Sequence, residues 1–143
     1  MSGFLGSYTH QVDEKGRLSL PVSFRRAAAE GPLVVVQSRS EALTLYPSET
    51  WREVEGRLLE LRRNQPEARD YVLGITSNAV EVVPDKQGRI LLPGRLLQSI
   101  GIKDAAQLVG AIDHIEVWEP DRFEARTAER LPEAERFASQ VFA

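Results

Sequence analysis

Short apolar segments, separated by turns that contain glycine or proline, fill the first part of the chain. Residues 7–12 (SYTHQV) alternate between the two sides of an extended backbone, and LSL at 18–20 follows a tight turn. Alternation with a period of two is typical of β-strands, so these segments predict the two strands of a hairpin. LVVV at 33–36 and ALTLY at 42–46 predict a second pair of strands.

Helical patterns follow each group of strands. The segment 21–31 predicts a short helix that begins after a proline and ends near its final glycine. Residues 49–63 predict a longer helix with one apolar stripe. A short helix capped by its final glycine is predicted at 66–74, and another in the tail beyond residue 132, with Phe137 as its anchor.

The second half of the chain repeats the first at a constant offset of 72 residues. DEKGRLSLP at 13–21 recurs as DKQGRILLP at 85–93, and equivalent apolar positions continue without a gap to Trp51 and Phe123. PGRLLQSIG at 93–101 repeats the first short helix, and QLVGAI and HIEVW repeat the second strand pair. The pattern therefore predicts an internal duplication.

Two copies of about 50 residues are each too small to bury much apolar surface alone. We expect an α+β protein in which two hairpin–helix–strand half-barrels share one β-barrel core around a pseudo-twofold axis, with flanking helices. The predicted units are a first repeat with its following helix (4–64), a connecting helix (65–74), a second repeat (75–131) and a C-terminal helix or tail (132–143).

Turn geometry explains four residues of the repeated phrase. Asp13 and Asp85 can accept backbone N–H groups at the start of a type I turn, and Gly16 and Gly88 tolerate the positive φ of a G1 bulge three residues later. Their presence says little about function.

Composition excludes several classes of protein. The net charge of −3 argues against binding nucleic acid over the whole surface, and the absence of cysteine removes disulfides and thiolate metal sites. The apolar runs are too short to span a bilayer and residues 1–15 do not form a signal peptide, so we expect a cytoplasmic protein.

No residue pattern predicts catalysis. His10 and His114 occupy non-equivalent positions of the repeat, and no serine has an elbow motif or a histidine partner nearby. Asp113 and His114 fit a solvated strand turn better than a metal site, because no third ligand has a recognisable spacing. We predict no enzymatic activity, cofactor, metal or small-molecule substrate.

Charge is distributed unevenly along the chain. Segments 13–26 and 85–97 each carry a balance of +2, while acidic residues gather in the later helices. Two explanations are open for Arg17 and Arg89: each is the partner of its own turn aspartate, or each contacts DNA from a two-stranded β-ribbon in the major groove. Lys15, Arg25 and Lys86 complete the candidate DNA-binding residues, with phosphates as the expected targets of Lys15 and Arg25.

Four segments together resemble the MraZ family: FLGSYTHQVDEKGRLSLPVSFR at 4–25, LYPSETW at 45–51, DKQGRILLP at 85–93 and LVGAIDHIEVWEP at 108–120. The resemblance implies two tandem half-barrels of the AbrB-like swapped-hairpin type, assembled into ring-shaped homo-oligomers. It further implies a nucleoid-associated transcriptional regulator of the division and cell-wall gene cluster, which binds direct repeats in the promoter upstream of its own gene.

The resemblance also assigns the DNA contact to the arginine of each D-x-x-G-R loop, which is Arg17 in the first copy and Arg89 in the second. The loops differ inside, since Lys15 aligns with Gln87, and we expect Arg17 to contribute more. Two alternatives stay open at this point. One is an AbrB-like antitoxin that also binds a protein partner through its tail, and the other is an oligomeric scaffold that does not bind DNA.

Overall fold

The structure, a computed structural model, describes residues 3–142. In these residues the strands are β1 (Ser7–Gln11), β2 (Arg17–Ser19), β3 (Leu33–Arg39), β4 (Ala42–Pro47), β5 (Val80–Val82), β6 (Arg89–Leu91), β7 (Ala105–Gly110) and β8 (Ile115–Trp118). The α-helices are α1 (Val22–Ala27), α2 (Ser48–Asn64), α3 (Arg69–Asn78), α4 (Gly94–Ser99), α5 (Pro120–Arg130) and α6 (Ala134–Val141). Short 3-10 turns at Pro66–Ala68 and Leu131–Glu133 precede α3 and α6. The fold class is α+β, as predicted.

Strands are exchanged between the two copies. A six-stranded antiparallel sheet has the order β1-β7-β8-β4-β3-β5, so the first strand of each copy pairs with the third strand of the other. The predicted local hairpin ladder is therefore wrong, because only an isolated bridge between Val12 and Leu18 joins β1 to β2. Pairing across the copies satisfies strand edges that each small unit would otherwise leave open.

A separate two-stranded ribbon, β2 with β6, lies on the pseudo-twofold axis. Leu18 pairs with Ile90 at its centre, and these positions are 72 residues apart. The same relation holds at Thr44 and Glu116, where β4 pairs with β8. Four elements of the first copy, β2, α1, β3 and α2, begin 72 residues before β6, α4, β7 and α5. The structure thus contains the internal duplication that the sequence predicts.

One hydrophobic core lies between the sheet, the ribbon, and the short helices α1 and α4. Both copies contribute its largest fully buried side chains: Leu18, Phe24, Leu33, Val35, Leu43, Leu45, Ile90, Leu92, Ile100, Leu108 and Ile115. Burying each such side chain stabilises the fold by about 1.5–3 kcal/mol. The prediction that the two copies share a core is confirmed.

Three local predictions about helices are wrong. Helix α1 ends at Ala27, four residues before Gly31, because Ala29 and Glu30 adopt left-handed backbone with φ near 55°. Gly74 lies inside α3, which continues to Asn78 and packs against β3. Phe137 does not anchor the tail, since it is half exposed and its ring lies under Arg136 of the same helix, at 4.6 Å.

No helix within residues 3–142 is long and apolar enough to cross a membrane.

Candidate nucleic-acid interface

Two loops with nearly the same backbone precede the strands of the ribbon. In the first loop, residues 13–17, the Asp13 N–H donates to the Arg17 carbonyl (3.1 Å) and the Gly16 N–H donates to the Asp13 carbonyl (3.0 Å). The equivalent bonds of the second loop, residues 85–89, measure 2.8 and 2.9 Å. Each loop is therefore a closed turn that fixes the start of its strand.

The glycines of these loops are required by conformation and by space. Gly16 has φ +89° and Gly88 has φ +79°, values that side-chain-bearing residues rarely adopt. A Cβ at Gly16 would lie 2.5 Å from the Leu92 carbonyl oxygen. At Gly88 it would lie 2.5 Å from Cζ of Arg25, so a guanidinium covers this glycine.

Each loop aspartate holds the arginine that follows it. Oδ1 of Asp13 accepts the backbone N–H groups of Lys15 (2.9 Å) and Arg17 (2.8 Å), while Oδ2 pairs with Arg17 Nε at 2.6 Å. Asp85 accepts the three equivalent bonds at 2.9, 2.9 and 3.0 Å. The backbone hydrogen bond from Arg17 is the main cause that lowers the pKa of Asp13, and the equivalent bond acts on Asp85. Such exposed pairs add little stability, but they orient the arginine.

Arg17 and Arg89 lie on the same outward face of the ribbon. Leu18 and Ile90 turn into the core, so their neighbours along each strand face away from it. The register pairs Arg17 with Leu91, which makes the two arginines diagonal neighbours with Cα atoms about 7–8 Å apart. Only Nε of each is bonded, to its aspartate, and the terminal guanidinium nitrogens have no hydrogen-bond partner within residues 3–142. Both arginines therefore present free donors on one surface.

The remaining predicted residues divide unequally between the loops. Lys15 and Lys86 are exposed, one in each loop, and neither forms an ion pair within residues 3–142. Arg25 belongs to helix α1 of the first copy, yet its guanidinium lies against Gly88 of the second loop. Its equivalent in the second copy is Leu97, whose Cδ1 lies 3.7 Å from the Cβ position of Gly16. Local sequence spacing gives no signal of this crossing.

A polar cluster lies at the start of β8, where the sequence predicts only a solvated turn. His114 is half-buried rather than solvated, with Nδ1 2.7 Å from Asp113 and Nε2 3.0 Å from Glu116. Glu116 also accepts the indole N–H of Trp118 at 2.9 Å. The hydrogen bond to Glu116 is the main cause that raises the pKa of His114. No group of three or more histidine or carboxylate side chains within residues 3–142 is arranged to hold a metal ion.

Comparison with known proteins supplies the family. The profile described as "MraZ protein, putative antitoxin-like" matches residues 4–73 and again residues 75–141. The chain is similar to the proteins named "Transcriptional regulator MraZ" from three bacteria. It is 40% identical to that of Herpetosiphon aurantiacus, over 98% of this chain and 97% of the relative. It is 35% identical to that of Thermomicrobium roseum, over 96% of this chain and 99% of the relative. It is 40% identical to that of Desulfitobacterium hafniense, over 80% of each chain.

The chain belongs to the MraZ family of transcriptional regulators. This confirms the resemblance drawn from the repeated motifs. It also confirms the prediction that the protein is not an enzyme, since these relatives are named as regulators.

Proposed function

We propose that this MraZ-family protein regulates transcription by binding double-stranded promoter DNA through the ribbon and its two loops. The observation that carries the proposal is the placement of Arg17 and Arg89 on one outward face, each oriented by an aspartate and each with terminal nitrogens that bond to no group of residues 3–142. A two-stranded ribbon fits the major groove, and a guanidinium can donate to the O6 and N7 acceptors of guanine.

Cations beside the arginines suit the DNA backbone. Lys15, Lys86 and Arg25 lie at the loops and offer contacts to phosphates, which fix the register of a protein on DNA without reading its sequence. The whole chain carries a net charge of −3, so this cationic end gives the molecule a defined orientation toward an anionic partner.

The family resemblance supports a more specific proposal. The protein binds direct repeats upstream of its own gene, regulates the division and cell-wall cluster, and acts on the nucleoid as a ring-shaped homo-oligomer. Several linked ribbons would raise avidity for repeated sites without a tight contact at any one of them. Exposed apolar side chains on α6 and beside it, such as Val141 and Phe142, are compatible with contacts between copies.

Fluorescence anisotropy with duplex DNA from the upstream region tests DNA binding. The wild-type protein is compared with the double variant Arg17→Ala/Arg89→Ala and with a matched control, Arg62→Ala/Arg63→Ala, which removes two exposed arginines from the end of α2. Two base or phosphate contacts of about 1–3 kcal/mol each predict at least a roughly 30-fold loss for the ribbon variant. The control should retain most of its affinity.

Salt distinguishes this function from that of a protein scaffold. Phosphate contacts release counterions, so the affinity must fall steeply as the salt concentration rises. Failure of the wild-type protein to bind the duplex at low salt would contradict the proposed function. Equal losses in the two double variants would contradict the choice of residues.

A further inference from the structure

The two loops carry different charges on the same backbone. The first loop contains two cations, Lys15 and Arg17, and the two carboxylates of Asp13 and Glu14, so its net charge is zero. The second loop contains two cations, Lys86 and Arg89, and one carboxylate, that of Asp85, so its net charge is +1. Arg25 increases this difference, because its guanidinium lies against the second loop rather than the first.

Arg25 lies against Gly88, and its guanidinium has no hydrogen-bond or ion-pair partner within residues 3–142. Its Cζ, Nε and one terminal nitrogen all lie 2.5–2.7 Å from the position that a Cβ of Gly88 would occupy. Nε is buried and has no hydrogen-bond partner in the described part of the chain. Unlike Arg17 and Arg89, Arg25 also forms no ion pair with a carboxylate of residues 3–142. The second loop with Arg25 therefore carries +2.

The equivalent place at the first loop is apolar. Leu97 stands 72 residues after Arg25 and is buried, with a methyl group near Gly16. The backbone is pseudo-symmetric here, but the side chains at these equivalent positions differ: a cation lies at the second loop and an apolar group at the first. The first loop keeps the same turn but lacks a third cation.

We propose that Arg25, Lys86 and Arg89 form one composite phosphate-binding site, built from both copies, and that it contributes more to DNA affinity than the first loop. This inference rests on the proposed function. A planar guanidinium can donate two parallel hydrogen bonds to a phosphate, and a second arginine and a lysine beside it share the same anion or its neighbour. Arg89 then contributes more to DNA affinity than Arg17, which reverses the order expected from the sequence.

A purely structural role for Arg25 makes a different prediction. Arg25 lies in the last turn of α1, where a cation stabilises the negative end of a helix dipole. In that case its loss would lower stability and leave the salt dependence of DNA binding unchanged.

The test uses Arg25→Leu, which gives the second loop the residue found at the first. The matched control is Arg26→Leu, which removes one exposed cation from the same helix turn. Removing one charge-assisted phosphate contact predicts about a tenfold loss of affinity at low salt for Arg25→Leu. The slope of log K against log salt should become shallower by about 0.9. Arg26→Leu should change both quantities much less.

Two further variants keep the result interpretable. Arg25→Lys retains the charge, so it should restore most of the slope while recovering only part of the affinity. Leu97→Arg, if it folds as judged by circular dichroism, should steepen the slope by creating a second composite site. The thermal midpoint of each variant is measured alongside its affinity.

Equal effects of Arg25→Leu and Arg26→Leu would overturn the composite site, as would an unchanged slope in Arg25→Leu. In either case the wild-type protein would still bind DNA, and the proposed function would stand. If the wild-type protein itself binds no duplex, the function fails first, and the composite site fails with it.

Discussion

The first and second loops have the same hydrogen bonds and different chemistry. Asp13 and Asp85 each accept three bonds, and Gly16 and Gly88 each take a left-handed conformation. The residues between them are exposed and differ in charge, with Glu14 and Lys15 in one loop and Lys86 and Gln87 in the other. The aspartate and the glycine are thus sufficient to keep the shape of the duplicated turn, and the residues between them can differ in charge.

The comparison also shows where charge has to be counted. By sequence segment, the two basic regions each carry +2. In the folded chain Arg25 crosses to the second loop and Leu97 takes its place at the first. The equality therefore disappears on folding, and the two loops are expected to contribute unequally to binding.

The largest effect is expected from adding a methyl group to each loop glycine. Gly16→Ala places Cβ against the backbone oxygen of Leu92, which cannot move freely, in a left-handed residue. We expect it to lower the free energy of unfolding by about 2–3 kcal/mol. Gly88→Ala meets the movable side chain of Arg25 first, and should cost roughly 1–2 kcal/mol. Urea denaturation measures both values.

Gly88→Ala should weaken DNA binding more than Gly16→Ala, although it lowers stability less. Gly88→Ala displaces Arg25 from the composite site, so its affinity should fall further than that of Gly16→Ala under conditions where both variants are folded. Gly56→Ala serves as the control, because its helical site is open and the change should stabilise the protein by up to about 1 kcal/mol. A larger affinity loss in Gly16→Ala would contradict the asymmetry between the loops.

Much of the fold can be predicted from the sequence because its signals are local. Alternation predicts the strands, and the constant offset predicts a shared core, since one copy alone is too small. The exchange of β1 and β5 between the copies cannot be predicted in this way, because either strand has the same pattern whether its partner is local or distant. The left-handed Ala29 and Glu30 that end α1 carry no glycine signal either.

Part of the candidate site can likewise be predicted from local sequence signals, and part depends on tertiary packing. The two arginines follow from the doubled motif, and their diagonal placement follows once Leu18 and Ile90 pair. The contact between Arg25 and Gly88 depends on tertiary packing, so no spacing rule predicts it. Phe137 fails as an anchor for a related reason, since an aromatic residue on an amphipathic helix does not reveal what covers it.

The smallest expected effect is the dependence of stability on pH, which arises from a hydrogen bond that only the second copy contains. His114 in the second copy bonds to Glu116, while the first copy has Ala42 and Thr44 at these positions. The pKa of His114 is raised, so its contribution to stability is present below pH 6.5 and is lost as the pH rises through the folded-state pKa. The pKa of Glu116 is lowered by the same bond, so its contribution is present above pH 4.5 and is lost on acidification.

Stability measured by urea denaturation should therefore decline as the pH is raised from 6.5. His114→Gln should flatten this decline, because an amide does not titrate. An NMR titration of the imidazole gives the pKa directly. An ordinary histidine pKa, or a decline that persists in His114→Gln, would contradict the assignment.

Fluorescence anisotropy at a fixed low salt concentration, with Arg17→Ala and Arg89→Ala on one promoter duplex, tests the role of the ribbon in DNA binding. We expect both variants to bind more weakly than the wild-type protein, with the larger loss in Arg89→Ala because Arg89 shares its site with Arg25 and Lys86. The contradicting result is wild-type affinity in both variants, which would remove the ribbon from the DNA interface.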